Sequence, residues 1–554
     1  MLIDAESIGQ NHAQKIAKQP PPSSTPQITS FLEKTNSWIS VDLNTISAQE
    51  GQTVLETLAN DSFWRILQDI GLNGMKIQCL KEGGKARTGF DIDAKWGAGW
   101  DQLKTVAASY NIALIGDLIG AKTGSGEDFS LAVQNVKDFR QLYHLIEILP
   151  EDWPLLPKVP IGMNMANIPW LTLNELNKKG YIPEAANPYI NSSAWNATGN
   201  IKCRDGKERR WIYLKDKQNE PLLSWLTSSF GADRIASADA LDSLYRLGQK
   251  ALAIDAMIPS FAQENLALWI RKIGGYSIQS TNGTLREMQA AKTDAIDDAP
   301  TRQALLHAMS TENAEALRLI YRLYLQQGIQ TMRLVHSMEP FSCDWAEFLM
   351  NPGKYYLYGE EKITGQLLRE RLLKEDLAHL QESSHTQNWS RLCSLKYPSV
   401  DIGRKSEEIQ KAHLLLAFTY AMQPGIFSLT LEDLLGDQIK SPSSFASHLK
   451  KILAIRAQST IAMGELIDIP PSANRSVLLL LHRLPKSYFF HLLAVNFGKS
   501  PVQEKIMLPA IQDTWAIDLM EGKSVEKELN AGVFFFELPP LSGKAFLFQP
   551  KYYQ

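Results

Sequence analysis

The sequence predicts an α/β protein: a (β/α)8 barrel with a subdomain inserted after strand three, then a C-terminal antiparallel β-domain. Three observations predict it. From about Trp38, short apolar strand-like pieces alternate with helical patterns, and two of those pieces end in an acid. The alternation breaks between Thr123 and about Leu226, where Pro, Asn and Trp accumulate. Near the C-terminal end, strand-length apolar runs follow one another between turn residues. Repeated alternation argues for parallel strands joined by helices. In such a barrel the C-terminal ends of the strands carry the chemistry.

Residues 1–36 are polar and end in Gln19-Pro-Pro-Pro-Ser-Ser-Thr-Pro-Gln27, which predicts a flexible arm. The barrel is expected over 37–122 and 227–470. Phe63 to Gly71 reads as an amphipathic helix with a glycine stop, and Gly74-Met-Lys-Ile-Gln78 as the strand after it. A helix over Trp100 to Tyr110 precedes a buried strand over 111–119. After the insert, a helix over Asp239 to Gly248 leads to the strand Lys250-Ala-Leu-Ala-Ile-Asp255. A helix over Leu266 to Gly274 then leads to the strand Gly275-Tyr-Ser-Ile-Gln279. The insert, 123–226, holds five tryptophans and reads as a small subdomain. The C-terminal domain is expected over 471–554, its runs separated by Pro485, Gly498, Gly522 and Gly543.

The chain has 554 residues, with 57 Lys+Arg against 60 Asp+Glu and a net charge of −3. That balance excludes a broad basic surface, so no nucleic acid and no anionic membrane is expected as partner. No apolar stretch reaches the length that spans a bilayer, and the acids of Met1-Leu-Ile-Asp-Ala-Glu6 do not suit a signal peptide. A cytoplasmic protein is expected. Cys79, Cys203, Cys343 and Cys393 are far apart, which argues against a disulfide framework or a cysteine-rich zinc site. Gly120-x-x-x-Gly124-x-Gly126 lacks the Lys and Ser/Thr placement of a phosphate loop.

Six segments carry a resemblance to a known family. They are Ile115-Gly-Asp-Leu-Ile-Gly-Ala-Lys-Thr-Gly-Ser-Gly-Glu-Asp-Phe129, His144-Leu-Ile-Glu-Ile-Leu-Pro-Glu-Asp-Trp-Pro-Leu-Leu-Pro157, Arg209-Arg-Trp-Ile-Tyr-Leu214, Gly275-Tyr-Ser-Ile-Gln279, Leu334-Val-His-Ser337, and Ala412-His-Leu-Leu-Leu-Ala-Phe418 with Met422-Gln-Pro-Gly-Ile-Phe427. With the barrel, insert and β-domain, the chain resembles the α-amylase superfamily (glycoside hydrolase family 13) over roughly 38–550. Within it, it is most similar to the trehalose synthases, which are maltose α-D-glucosyltransferases. The resemblance implies α-linked glucosides such as maltose or trehalose as ligands.

Retaining glycoside cleavage needs a carboxylate nucleophile and a carboxylic acid on either side of the glycosidic oxygen. The resemblance implies a nucleophile Asp after strand four, an acid/base Glu after strand five and a second, transition-state Asp after strand seven. The nucleophile position falls on Asp255 and the strand-three Asp on Asp117. The acid/base position falls on Ser280 and the second Asp on Ser342, with Phe341 where the family has His. The family's strand-three His falls on Lys122 and its strand-four Arg on Ala253. A serine hydroxyl holds its proton too tightly to serve as a general acid, and losing that acid costs on the order of 10²–10⁴ in rate.

The substitutions leave three functions open: a degenerate relative that binds α-glucosides or an active homologous partner, an active trehalose synthase with rearranged acids, and an interaction scaffold without a sugar. Glu339, Asp344, Glu347 and Glu287 are the acids within reach of a rearrangement. Lys122 is expected to neutralise Asp255 in place of the missing Arg. Phe341 is read as a sugar platform or as filler, and His336 as a hydrogen-bonded core histidine. No cofactor is expected. Some amylase relatives bind Ca2+ at the insert, where Asp152, Asn164 and Asn167 would contribute.

Overall fold

The computed structural model describes residues 1–17, 31, 33–84, 86–182, 195–216, 219–225, 231–339, 344–380, 389, 393, 402–435, 442–485, 489–508, 511, 514–525 and 529–550. Eight parallel strands close a barrel: β1 Ser37–Asp42, β2 Gly74–Gln78, β3 Ala113–Asp117, β4 Ala251–Ile254, β5 Tyr276–Gln279, β6 Ala295–Asp297, β7 Leu334–Ser337 and β8 Ile426–Thr430. Closure is made by β1, which pairs with β2 on one side and with β8 on the other, Ser37 opposite Phe427. Alternation of side chains along each strand explains the interior. Trp38, Ile115, Ala251, Ala253, Ile278, Ala295, Val335 and Ile426 form one apolar plug inside the barrel, drawn from every strand but β2. On β2, Gly74 lies under the Trp38 indole, where a Cβ would come within 2.2 Å of the ring.

The helices outside follow from capped amphipathic patterns. In the helix Asp61–Ile70, Trp64, Leu67 and Ile70 recur at three-residue spacing on the buried face. Asn60 caps its start, and Gly71 ends it at φ 100°, a conformation costly for other residues. The arm expected over 1–36 is a helix over Leu2–Ala17. Leu2 and Ala5 are buried beside Ile235 and Ala236 of the helix Gly231–Tyr245, with Ile8 packed on the same cluster. The Leu2 amide donates to Asp128 Oδ2 at 3.2 Å. The physical reason is an apolar stripe at positions 2, 5 and 8 that outweighs the polar composition. The rest of that arm described here includes Phe31, which stacks on Tyr276 at 4.0 Å; residues 18–30 and 32 lie outside the described residues.

The insert contains an antiparallel sheet in the order Leu145–Ile148, Glu208–Leu214, Trp195–Thr198, Met165–Asn167. Bridges Lys122–Leu222 and Tyr143–Leu223 close its base. The β-domain begins before the expected position 471, because Glu465–Asp468 pairs antiparallel with Val477–Arg483. That short strand belongs to a six-stranded sheet, which continues through Phe490–Asn496 and Ser542–Pro550. Val477, Leu479 and Leu481 face the second sheet's core. Leu478 and Leu480 face the barrel core instead. Burial on both faces accounts for the unbroken apolar run of this strand. His482 and His491 are cross-strand partners on the barrel-facing side, fully buried, with their Nδ1 atoms 3.2 Å apart. Arg318, on the helix Glu315–Gln327, ties the domains by donating to the carbonyls of Val477 at 2.9 Å and Asn474 at 2.6 Å. No described helix is long and apolar enough to cross a membrane.

Candidate functional site

Above the apolar plug the strands end in polar residues, and their ends surround a cavity of about 620 Å³. Its wall includes Asp42 from β1, Gln78 from β2 and Cys79 after it, Asp117 from β3, Asp255 after β4, Ser280 after β5, Glu339 after β7 and Thr430 from β8. Lys122 also lies on this wall. Asp117, Lys122, Asp255 and Ser280 therefore meet at one cavity. Ser342 and Phe341 lie outside the described residues.

Asp255 is fixed by backbone. Its Oδ1 accepts from the Met257 amide at 2.9 Å and its Oδ2 from the Ala121 amide at 3.3 Å. Gly120 permits the second contact: a Cβ there would lie 2.3 Å from Asp255 Oδ2. The Ser280 amide donates to the Ile254 carbonyl at 2.9 Å, which carries the β4–β5 ladder up to the cavity floor. The expected Lys122–Asp255 pair is not formed. Lys122 instead pairs with Asp216 of the insert, because the Lys122–Leu222 bridge holds residue 122 against the segment that carries Asp216.

The cation at the barrel centre is Lys76 of β2, 3.0 and 3.1 Å from the two oxygens of Glu339 and 3.6 Å from Asp117. Burial opposes the lysine's charge, but Glu339 and Asp117 outweigh it and raise its pKa above the ordinary range. Burial likewise pushes the Glu339 carboxyl up, yet Lys76 and Arg302 outweigh it and hold that carboxyl below its ordinary value. Asp297, at the end of β6, pairs with Arg302. Burial is the larger effect there and keeps the Asp297 carboxyl above its ordinary value, against Arg302. Sequence reasoning named Glu339 as a spare acid and missed Lys76. The signal was in Gly74-Met-Lys-Ile-Gln78, where strict alternation puts Lys76 and Gln78 on the inward face with Gly74.

A second buried network braces the wall. Lys81 Nζ lies 2.5 Å from Asp239 and 3.0 Å from Asp242. Arg87 reaches Asp239 at 3.3 Å and the Asp117 carbonyl at 2.7 Å, and Asp239 accepts from the Ile119 amide at 2.7 Å. Two of the other candidate acids are structural. Glu347 is buried and accepts from the Leu285 amide, and Glu287 accepts from the Asn282 amide. Asp344 lines a separate cavity beside Trp345. His336 is buried, as expected of a core histidine, between Asp298 at 2.7 Å and the Pro424 carbonyl at 2.9 Å.

Of the insert residues named for Ca2+, Asp152 is held by Lys179 at 2.8 Å and by the Tyr181 hydroxyl at 2.6 Å, and Asn167 accepts from Lys215, so two ammonium groups and a hydroxyl already engage these oxygens. Among the described residues no group of three His, Cys, Asp or Glu side chains is placed to hold a metal ion.

No family model matches the chain, and no curated protein matches its sequence. Solved structures do match its fold. The α-amylase of Geobacillus thermoleovorans, complexed with acarbose, is 9% identical with a TM-score of 0.56, covering 94% of this chain and 99% of that one. The trehalose-6-phosphate hydrolase of Bacillus licheniformis is 10% identical with a TM-score of 0.58, covering 93% and 99%. A maltogenic α-amylase of Thermotoga neapolitana is 10% identical with a TM-score of 0.55, covering 94% and 99%. At these identities the likeness is one of fold: the chain has the barrel and C-terminal β-domain architecture of the amylases.

Proposed function

We propose that the protein binds an α-glucoside of the maltose or trehalose kind in this cavity and does not turn it over at the rate of an intact glucosyltransferase. One observation carries the reading: of the carboxyl side chains on the described cavity wall, Asp42, Asp117, Asp255, Glu339 and Glu432, none stands directly after β5, where a general acid opposite Asp255 is expected. The residue after β5 is Ser280, and the wall's Glu339 is held ionised by Lys76. A general acid in a retaining mechanism needs its pKa raised toward the working pH, and Lys76 drives Glu339 the other way. The volume suits a disaccharide-sized ligand, and the amylase fold makes an α-glucoside the first class to test. Purified protein is to be incubated with maltose and with trehalose, with product analysis and calorimetry on the same samples. Binding without interconversion or glucose release is the expected result. Turnover that disappears in Asp255→Asn would overturn the non-catalytic reading and favour a trehalose synthase with rearranged acids.

A further inference from the structure

Ala121 joins the barrel mouth to the insert through a single residue. Its N–H donates to Asp255 Oδ2 at 3.3 Å, and its carbonyl accepts from the Leu223 amide of the insert at 2.8 Å. Two residues on, the Thr123 amide donates to the Pro221 carbonyl at 3.4 Å. Between them the Lys122 side chain pairs with Asp216, and both side chains are largely buried, 14% and 8% exposed. Asp216 is itself held in its turn: its Oδ1 accepts from the Glu220 amide at 2.9 Å, and its own N–H donates to the Glu220 carbonyl at 2.9 Å. Lys122 stands on the cavity wall, whereas no described residue of the insert, Asp216 included, lines it. Tolerance at Asp255 is small. Gly120 lies against its Oδ2, and the Ala121 bond is already longer than most N–H···O bonds. A shift of about an ångström in residues 120–123 would break it. A buried ion pair holds its partners more firmly than an exposed one, and removal of one partner leaves a buried charge uncompensated.

We propose that Lys122 and Asp216 are positioning residues of the sugar site: their ion pair fixes residues 120–123 against Asp255, and through it the insert sets the affinity of the cavity from outside. This rests on the α-glucoside reading above and adds how that site is controlled. The coupling is reciprocal, so a sugar seated at Asp255 in turn stabilises the pairing of 121–123 with 221–223.

The test is calorimetric titration of the full chain with trehalose and with maltose, in the wild type, Asp216→Asn and Asp216→Glu. Asp216→Asn keeps an oxygen for the Glu220 amide and turns N–H groups toward the Lys122 ammonium, so the pair is lost while the turn is kept. Affinity is expected to fall on the order of tenfold in Asp216→Asn and to stay close to wild type in Asp216→Glu, which keeps the charge. The loss should shrink where Asp255→Asn is already present, because the two changes then act on one contact. A purely structural role for the pair would give the same loss in both backgrounds. Hydrogen exchange needs no variant and stands even where Asp216→Asn fails to fold: the amides of the buried Thr123 and Leu223 should exchange more slowly with sugar bound than without. Wild-type affinity in Asp216→Asn, an undiminished loss on top of Asp255→Asn, or exchange at Thr123 and Leu223 that sugar leaves unchanged would overturn this inference and leave the sugar-binding reading intact. Absence of binding by both sugars to the wild type would overturn the two together.

Discussion

Lys76 and Glu339 decide what the barrel mouth can do. The pair lies at the centre of the ring of strand ends, with the lysine drawn from the one strand that gives nothing to the apolar plug. Lys76→Met is expected to leave Glu339 half-buried with Arg302 as its remaining cation, at a cost of about 1–3 kcal/mol near neutral pH. The sign with pH follows from the lowered Glu339 carboxyl. In the wild type its contribution is present above the unfolded value of about 4.5 and is lost as pH falls through the folded value. Without Lys76 the burial of the carboxylate is opposed less, so the penalty is expected to shrink on acidification, as denaturant melts across that range would show. Gly120→Ala addresses the neighbouring site. Its methyl would collide with Asp255 Oδ2, so sugar binding by calorimetry should fall by tenfold or more while stability falls by about 1–3 kcal/mol. Asp117, Asp255 and Ser280 were legible at the cavity because each follows a clear apolar strand. The partner of Lys122 was not, since Asp216 belongs to the insert, far along the chain and joined to residue 122 only by tertiary pairing.

At the scale of elements, periodicity gave β2, β3, β4 and β5 to within two residues, gave no signal for the three-residue β6, and failed where composition spoke louder. The helix Leu2–Ala17 has acids and amides on its open side and three apolar positions on the other. A composition average hides that stripe, while the partner helix Gly231–Tyr245 reads it directly. Leu2→Ser is expected to cost about 2–4 kcal/mol of local docking energy. Hydrogen exchange should then rise across residues 2–17 while the barrel strands keep their protection. Equal loss of protection throughout would mean that this helix is an integral part of the barrel's cooperative unit. The strand Glu465–Asp468 was missed for a different reason: four residues are too few to show alternation, and only the partner strand Val477–Arg483 defines it.

For the whole molecule, the β-domain is fastened by buried polar groups as well as by apolar area. His482 and His491 face the barrel core, and burial pushes both imidazoles down, His491 to about 3. Their folded values lie below the unfolded value of about 6.5, so the unfolded chain takes up more protons as pH falls. Stability is then level above about pH 6.5 and declines below it, by up to about 1.4 kcal/mol per pH unit for each histidine. Thermal melts between about pH 7 and about pH 5 should show this slope, and His491→Phe should reduce it. A slope unchanged in the variant would assign the acid sensitivity to other groups. The barrel-plus-β-domain plan was readable because its two halves use different periods. The domain boundary was less so, because the sheet recruits its first strand from the end of the barrel segment.

The pairing of β1 with β8 has a consequence during synthesis. Ser37 leaves the ribosome long before Phe427, its partner across the seam. At translation rates of about 5–20 residues per second, β1 waits for tens of seconds with one edge unsatisfied. An open strand edge is a template for pairing with other chains. The nascent chain is therefore most prone to aggregate in the interval before β8 emerges, and a holding chaperone that shields the β1 edge should raise the yield of folded protein.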